Sequence, residues 1–159
     1  MVYFDLQSVL APTRRILSLR DPTVKMSKST PDVRSRILFT DTPSQIQAKI
    51  RGAVTDSTSS ITYDPVNRPG TANLLNILAA CLGKRVEDVV HNYKNSSFKG
   101  LKEDVADSVI EFLRTPQEEF SRLRGEQVYL VQVADEGSRR AKDLSNETMR
   151  HVRDRLGLC

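Results

Sequence analysis

The sequence predicts a mainly α-helical chain, a helical body set behind a short strand and a polar, doubly charged loop. Three observations carry that expectation. Apolar residues recur at steps of three and four through most of residues 42–156. Glycines stand just past the ends of those runs, at Gly83, Gly125 and Gly157. Ahead of them, Arg14-Arg15-Ile16-Leu17-Ser18-Leu19 reads as one strand that stops at Asp21-Pro22, with Ile37-Leu38-Phe39 a weaker second candidate. A strand so short needs neighbours. None of comparable strength precedes it, so its partners are expected to be absent from this chain or supplied by something else.

The first helix is announced by Thr42-Pro43-Ser44-Gln45, with Thr42 as N-cap, Pro43 at the first helical position and Gln45 placed to close a capping box. Ile46, Ile50, Ala53 and Val54 follow on one face. After a polar exit at Thr55 to Ser60, the run Tyr63-Asp64-Pro65-Val66-Asn67-Arg68-Pro69-Gly70 is too rich in proline and glycine for anything but a connector. The next helix, about Thr71 to Leu82, is apolar nearly all round and belongs in the middle of a bundle, with Gly83 ending it. Val86 to Val90 makes a short further helix before the Asn92 to Ser97 loop. From Phe98 the apolar positions run 101, 105, 109, 112, 116, 120 and 123, which predicts one long helix kinked at Pro116 and ended by Gly125. Beyond it, a helix of about 18 residues stopped at Gly157 is expected, with an interruption near Gly137.

The 159 residues, 38% of them hydrophobic, suffice for one ordinary core. No apolar run approaches a membrane span. Met1 to Leu10 carries an acid and no base, unlike a targeting segment. Cys81 and Cys159 have neither metal-ligand nor disulfide-framework spacing, which points to a reducing compartment and no metal site. The net charge of +4 is uneven: residues 1–60 hold nine Lys/Arg against five Asp/Glu, residues 61–120 seven against nine, and the remainder eight against six. The excess sits around the loop, which permits a phosphate-bearing partner without requiring one.

That loop is Lys25-Met26-Ser27-Lys28-Ser29. Two ammonium groups interleaved with two hydroxyls, and no acid among them, form a compact polyphosphate site that backbone N–H groups could join. On spacing alone such a cluster is more often a solvated loop. Its context is more specific. The pentapeptide resembles the second signature of the class I aminoacyl-tRNA synthetases, and Ser18-Leu19-Arg20-Asp21-Pro22 leading into it is similar to the tryptophanyl branch, of bacterial or mitochondrial type. The resemblance continues in one order through Thr55-Asp56-Ser57, Tyr63-Asp64-Pro65, Arg68-Pro69-Gly70, Asn73-Leu74-Leu75 and Phe98 to Asp107, covering about Pro12 to Leu158.

The resemblance implies ATP-dependent activation of tryptophan and its transfer to tRNA(Trp), with magnesium accompanying ATP. It implies Lys28 first, and Lys25 second, as the cations that stabilise departing pyrophosphate, a role in which stabilisation grows along the reaction. Ser27 and Ser29 would add hydroxyl donors and Met26 a backbone contact to the nucleotide. The C-terminal helices of that branch meet the anticodon stem, so Arg139, Arg140, Lys142, Arg150, Arg153 and Arg155 are candidates for tRNA phosphate contacts; otherwise they form a solvated face. The implied organisation is a remnant of a Rossmann-like catalytic domain over residues 1–40, carrying the loop, and a helical tRNA-side domain over 41–159.

The first signature of that family, a His-Gly-His-like turn, has no counterpart here, and neither has the Gly-rich stretch or tryptophan pocket. The chain therefore reads as a C-terminal portion of such an enzyme, not competent alone, from the mitochondrial matrix or a bacterial cytoplasm. The family is homodimeric through contacts largely upstream of these residues. The alternatives are a non-catalytic helical tRNA-binding module and a protein-interaction module. Arg20-Asp21 reads as a surface pair or turn cap, His91 and His151 as solvated, and Asp64 and Arg68 as fold-holding.

Overall fold

The computed structural model describes residues 15–58, 60–94 and 96–158. The Met1 to Leu10 stretch, Arg14 at the head of the expected strand, and Cys159 lie outside them. Five α-helices follow in order among the described residues: α1 Pro43–Arg51, α2 Pro69–Leu82, α3 Val86–Tyr93, α4 Phe98–Arg124 and α5 Gln127–Leu156, after one 3-10 turn at Val33–Ser35. The chain divides into two compact units between Thr115 and Pro116.

In the first unit the helix starts and stops fall where their chemistry places them. Thr42 Oγ1 accepts from Gln45 N, Gln45 Oε1 accepts from Thr42 N at 2.8 Å, and Pro43 opens α1. Ile46 and Ile50 are fully buried and Ala53, just past the helix end, is buried, whereas Val54 is exposed. α2 is buried on all sides over Gly70 to Leu75 and again over Ile77 to Ala79, and Gly83 closes it in the left-handed region at φ 61°. From α4, Leu101, Val105 and Val109 join this core, and so does Leu19 from the extended segment. Lys102 docks α4 onto the end of α1: its ammonium donates to Ala53 O at 2.8 Å and Arg51 O at 3.3 Å, satisfying carbonyls left over where the helix stops.

The expected strand is reduced to a single antiparallel bridge, Leu17 to Lys25. Its hydrogen-bonding partners lie within the chain, which corrects the expectation that they are missing. Val24 to Met26 doubles back beside it, with Ser18 N donating to Val24 O and Met26 N to Ile16 O, each at 2.9 Å. A turn at Asp21 separates the two arms so closely that one bridge is all they form. Ile37 and Leu38 form no strand either; Ile37 packs against the core.

α4 is one helix with Pro116 inside it, as the periodicity predicts, and the unit boundary falls at that proline. α5 is also one helix, of 30 residues, so the interruption expected at Gly137 is absent. A lone helical glycine weakens a helix by about 1 kcal/mol and does not break it.

The second unit holds the last turns of α4, and α5. Gly157 ends α5 at φ 67°, and no residue of α5 is buried. Arg122 pairs with both Glu119 and Glu126, bracing the turn at Gly125. Arg140 pairs with Glu136 one turn back. Among the described residues no helix is long and apolar enough to cross a membrane.

Candidate functional site

The loop Lys25 to Ser29 rises from the extended segment that the core holds from below. Leu19 supplies the anchor: it is 2% exposed, its N–H donates to Ser35 O at 2.9 Å and its carbonyl accepts from Val54 N at 2.8 Å. One residue earlier, the buried Ser18 hydroxyl accepts from Arg20 N and Asp21 N at 3.2 and 3.1 Å. Leu17 is held from the other side by a helix instead of a strand. Asn73 of α2, 3% exposed, accepts from Leu17 N at 2.8 Å and donates to Leu17 O at 2.9 Å, doing with one amide what a β-partner does with its backbone.

Gly70 makes that approach possible. A Cβ on Gly70 would stand 2.3 Å from Val54 O, so only glycine allows α2 to start against Val54, whose N–H holds the Leu19 carbonyl. Asp56 completes the frame. Its carboxylate takes a two-pronged contact from Arg68 (3.0 and 2.7 Å), a hydroxyl from Thr71 (2.7 Å) and the N–H of Thr58 (3.0 Å). Arg68, fold-holding as its setting suggests, also donates to Thr62 and lies over the Phe98 ring. This hydrogen bonding, with Arg68 foremost, holds the Asp56 carboxyl well below the usual carboxylate range. Asp64 accepts from the N–H groups of Val66 and Asn67 and so closes the connector turn. Asp21 caps its turn through the Thr23 N–H and hydroxyl, while Arg20 reaches Gly52 O at 2.7 Å and Asp32 at 3.8 Å.

Above this frame, a cleft of about 420 Å³ is lined by Arg15, Lys25, Lys28 and Arg36, by Met26 and Ser27, and by the apolar run Ile16, Ile37, Leu38 and Phe39. Among the described residues, four cations and no carboxylate line it. Neither lysine has an ion-pair partner among the described residues, so the positive potential is not cancelled locally. Met26 turns its side chain onto the core and commits its N–H to Ile16 O. Within the tip, Ser29 N donates to Ser27 Oγ at 3.3 Å. The cleft thus brings Lys25, Met26, Ser27 and Lys28 together with two cations the pentapeptide does not contain, whereas Ser29 is not among its lining residues. Arg15 and Arg36 carry no spacing signal: Arg36 reaches the cleft only because the 3-10 turn at Val33–Ser35 folds the chain back.

The basic residues named for the tail lie on α5, all exposed and all in the second unit. At about 100° per residue, an unbroken helix puts Arg139, Lys142, Arg150 and Arg153 on one face over roughly 21 Å of axis. Arg140, held by Glu136, and Arg155 point away from that face. His91 and His151 are exposed, and burial pushes the Cys81 thiol upward, away from reactivity. Among the described residues, no group of three or more His, Cys, Asp or Glu is placed to hold a metal.

A cationic loop thus stands on a helical core, with an extended lead-in pinned to that core. Residues 3–114 match the family described as tRNA synthetases class I (W and Y), and the chain belongs to it. Its curated relatives are more particular. It is 39% identical to the mitochondrial tryptophan–tRNA ligase of Saccharomyces cerevisiae over 94% of this chain and 40% of that protein. It is 41% identical to the tryptophan–tRNA ligase of Mycobacterium leprae over 90% of this chain and 42% of the relative, and 39% identical to that of Enterococcus faecalis over 91% and 43%. The tryptophanyl-tRNA synthetase structure from Mycoplasma pneumoniae superposes with a TM-score of 0.59 at 29% identity, covering 67% of this chain and 35% of that one. The chain therefore spans about two fifths of the length of the curated relatives it matches.

Proposed function

We propose that the chain serves a tryptophan–tRNA ligase reaction, in which ATP activates tryptophan before transfer to tRNA(Trp), and that its own part is to grip the triphosphate. The observation that carries this is the cleft built on Lys25 to Lys28, which among the described residues is lined by four cations and no carboxylate. As the tryptophan carboxylate attacks the α-phosphorus, charge gathers on the departing pyrophosphate. Lys28, unpaired at rest, meets it, and Lys25 supplies the second charge from the mouth of the bridge. Ser27 and Ser29 donate hydroxyls. The Met26 N–H is already used by Ile16 O, so a nucleotide contact from Met26 falls to its carbonyl. Magnesium would travel with the ATP phosphates.

In this reading residues 1–40 work with the nucleotide and residues 41–159 face tRNA, where Arg139, Lys142, Arg150 and Arg153 present a basic stripe to backbone phosphates, while Arg140, paired with Glu136, lies off that stripe. Residues 1–159 alone are proposed not to charge tRNA, because their sequence has no counterpart of the first signature. Both a bacterial and a mitochondrial setting agree with the relatives' names.

Chemical acetylation of lysines in the 159-residue chain, followed by peptide mapping with and without ATP, tests the assignment. Protection of Lys28 and Lys25 by ATP, with the exposed Lys99 unaffected, is the expected pattern. Equal modification in both samples, together with salt-sensitive tRNA binding, would replace it with a non-catalytic tRNA-binding module.

A further inference from the structure

We infer that Arg36 is a further ligand of the polyphosphate and the latch that holds the loop in its resting position, an inference that rests on the nucleotide reading above. Its guanidinium has two ends in different circumstances. Nη1 donates to Thr30 O at 2.6 Å and more weakly to Asp32 O at 3.4 Å, tying down the residue that follows Ser29. Nε is buried and has no hydrogen-bond partner among the described residues. The side chain lines the same cleft as Lys25 and Lys28. The acid nearest in sequence is already engaged: Asp32 accepts from Arg34 N at 2.9 Å and Arg34 Nε at 3.2 Å, with Arg20 Nε 3.8 Å away. Arg36 has no ion-pair partner among the described residues.

A buried guanidinium N–H without an acceptor is unfavourable, and an anionic oxygen in the adjoining cleft is the acceptor that a planar, forked donor fits best. Rotating the fork into the cleft satisfies Nε and withdraws Nη1 from Thr30 O. The tip is otherwise held by Met26 N on Ile16 O at one end and by the internal Ser29 to Ser27 bond. Occupancy of the cleft by a polyphosphate thus releases the loop's exit at the moment its lysines acquire something to close upon.

The test is calorimetric binding of inorganic tripolyphosphate to the 159-residue chain, with circular dichroism and thermal melting to check the fold of each variant. Arg36→Met is expected to weaken binding on the order of tenfold, the loss of one charge-assisted contact. Arg34→Met, which removes an equal charge two residues away, should change it less than about twofold. Arg36→Lys keeps the charge and loses the fork, so binding should fall about threefold. Lysine-specific cleavage after Lys28 without ligand should speed up in both Arg36 variants, since Thr30 is no longer tied.

Equal losses in Arg34→Met and Arg36→Met would mean bulk charge and overturn the inference. So would parent-like binding and cleavage in Arg36→Lys, which carries the test if Arg36→Met does not fold. If Lys28→Ala abolishes binding while Arg36→Met binds like the parent, Arg36 is excluded and the nucleotide reading stands. A parent chain that does not bind tripolyphosphate removes both.

Discussion

Helices α2 and α5 end in the same way and live in opposite surroundings. Each stops at a glycine in the left-handed region, Gly83 and Gly157, with the following N–H groups returned to carbonyls of the last turn. Yet α2 is buried almost all round, whereas α5 has no buried residue in 30. Ends are set by a few neighbouring residues and their backbone geometry. Burial depends on what packs alongside, and Val128, Leu130, Val131 and Leu144 of α5 are exposed. Local grammar and long-range packing are separable, and this molecule separates them in two of its own helices.

The contrast can be broken by a matched truncation. Leu75→Ala in α2, at a fully buried position, should lower stability by about 4 kcal/mol in chemical denaturation, through lost transfer energy and a residual cavity. If it lowers stability no more than Leu144→Ala, at a position 73% exposed, the burial distinction is wrong. Next in size is Gly70→Ala, expected to cost about 3 kcal/mol because its methyl meets a backbone carbonyl that cannot step aside.

Asp56→Asn should cost about 2 kcal/mol at neutral pH by removing the charge that Arg68 and Thr71 address. The native Asp56 carboxyl titrates below its unfolded value, so its contribution is fully present above about pH 4 and is lost as pH falls toward the depressed native value. Parent and variant should therefore converge in acid, as equilibrium unfolding at pH 7 and pH 3 would reveal; a difference that widens in acid contradicts the assignment.

The second glycine sharpens the comparison from the other side. Gly137 has open space around its missing Cβ, so Gly137→Ala should stabilise α5 by about 0.8 kcal/mol, read as slower amide exchange across that helix. Smallest of all, Leu144→Ala should stay within about 0.5 kcal/mol of the parent.

Much of this fold is legible in the primary structure wherever the determinants are close together. Thr42, Pro43 and Gln45 announce α1, the apolar girdle from Leu74 announces a buried α2, and the stepping pattern from Phe98 carries α4 through Pro116. Gly137 misleads because a glycine's effect on a helix is too small to decide continuity when 30 residues favour it. The missing strand partners mislead for a different reason: nothing in Asn73 says that its amide will meet Leu17, which lies 56 residues away. The pentapeptide is recognisable as a motif, but Arg15 and Arg36 join it only through the fold, so half of the cleft's cations were invisible to spacing.

The helical placement of Gly70 and Asn73 acts as a gauge. One lets α2 touch the Val54 carbonyl and the other seizes Leu17, and both contacts are met at once because the two residues sit nearly above one another on the same cylinder. Inserting or deleting a single residue between them would swing the amide by about 100° and unhook the loop's lead-in. Length variation in this branch of proteins should therefore gather in the connector ahead of Pro69 and spare the four positions from Gly70 to Asn73, a rule that holds whatever the loop itself grasps.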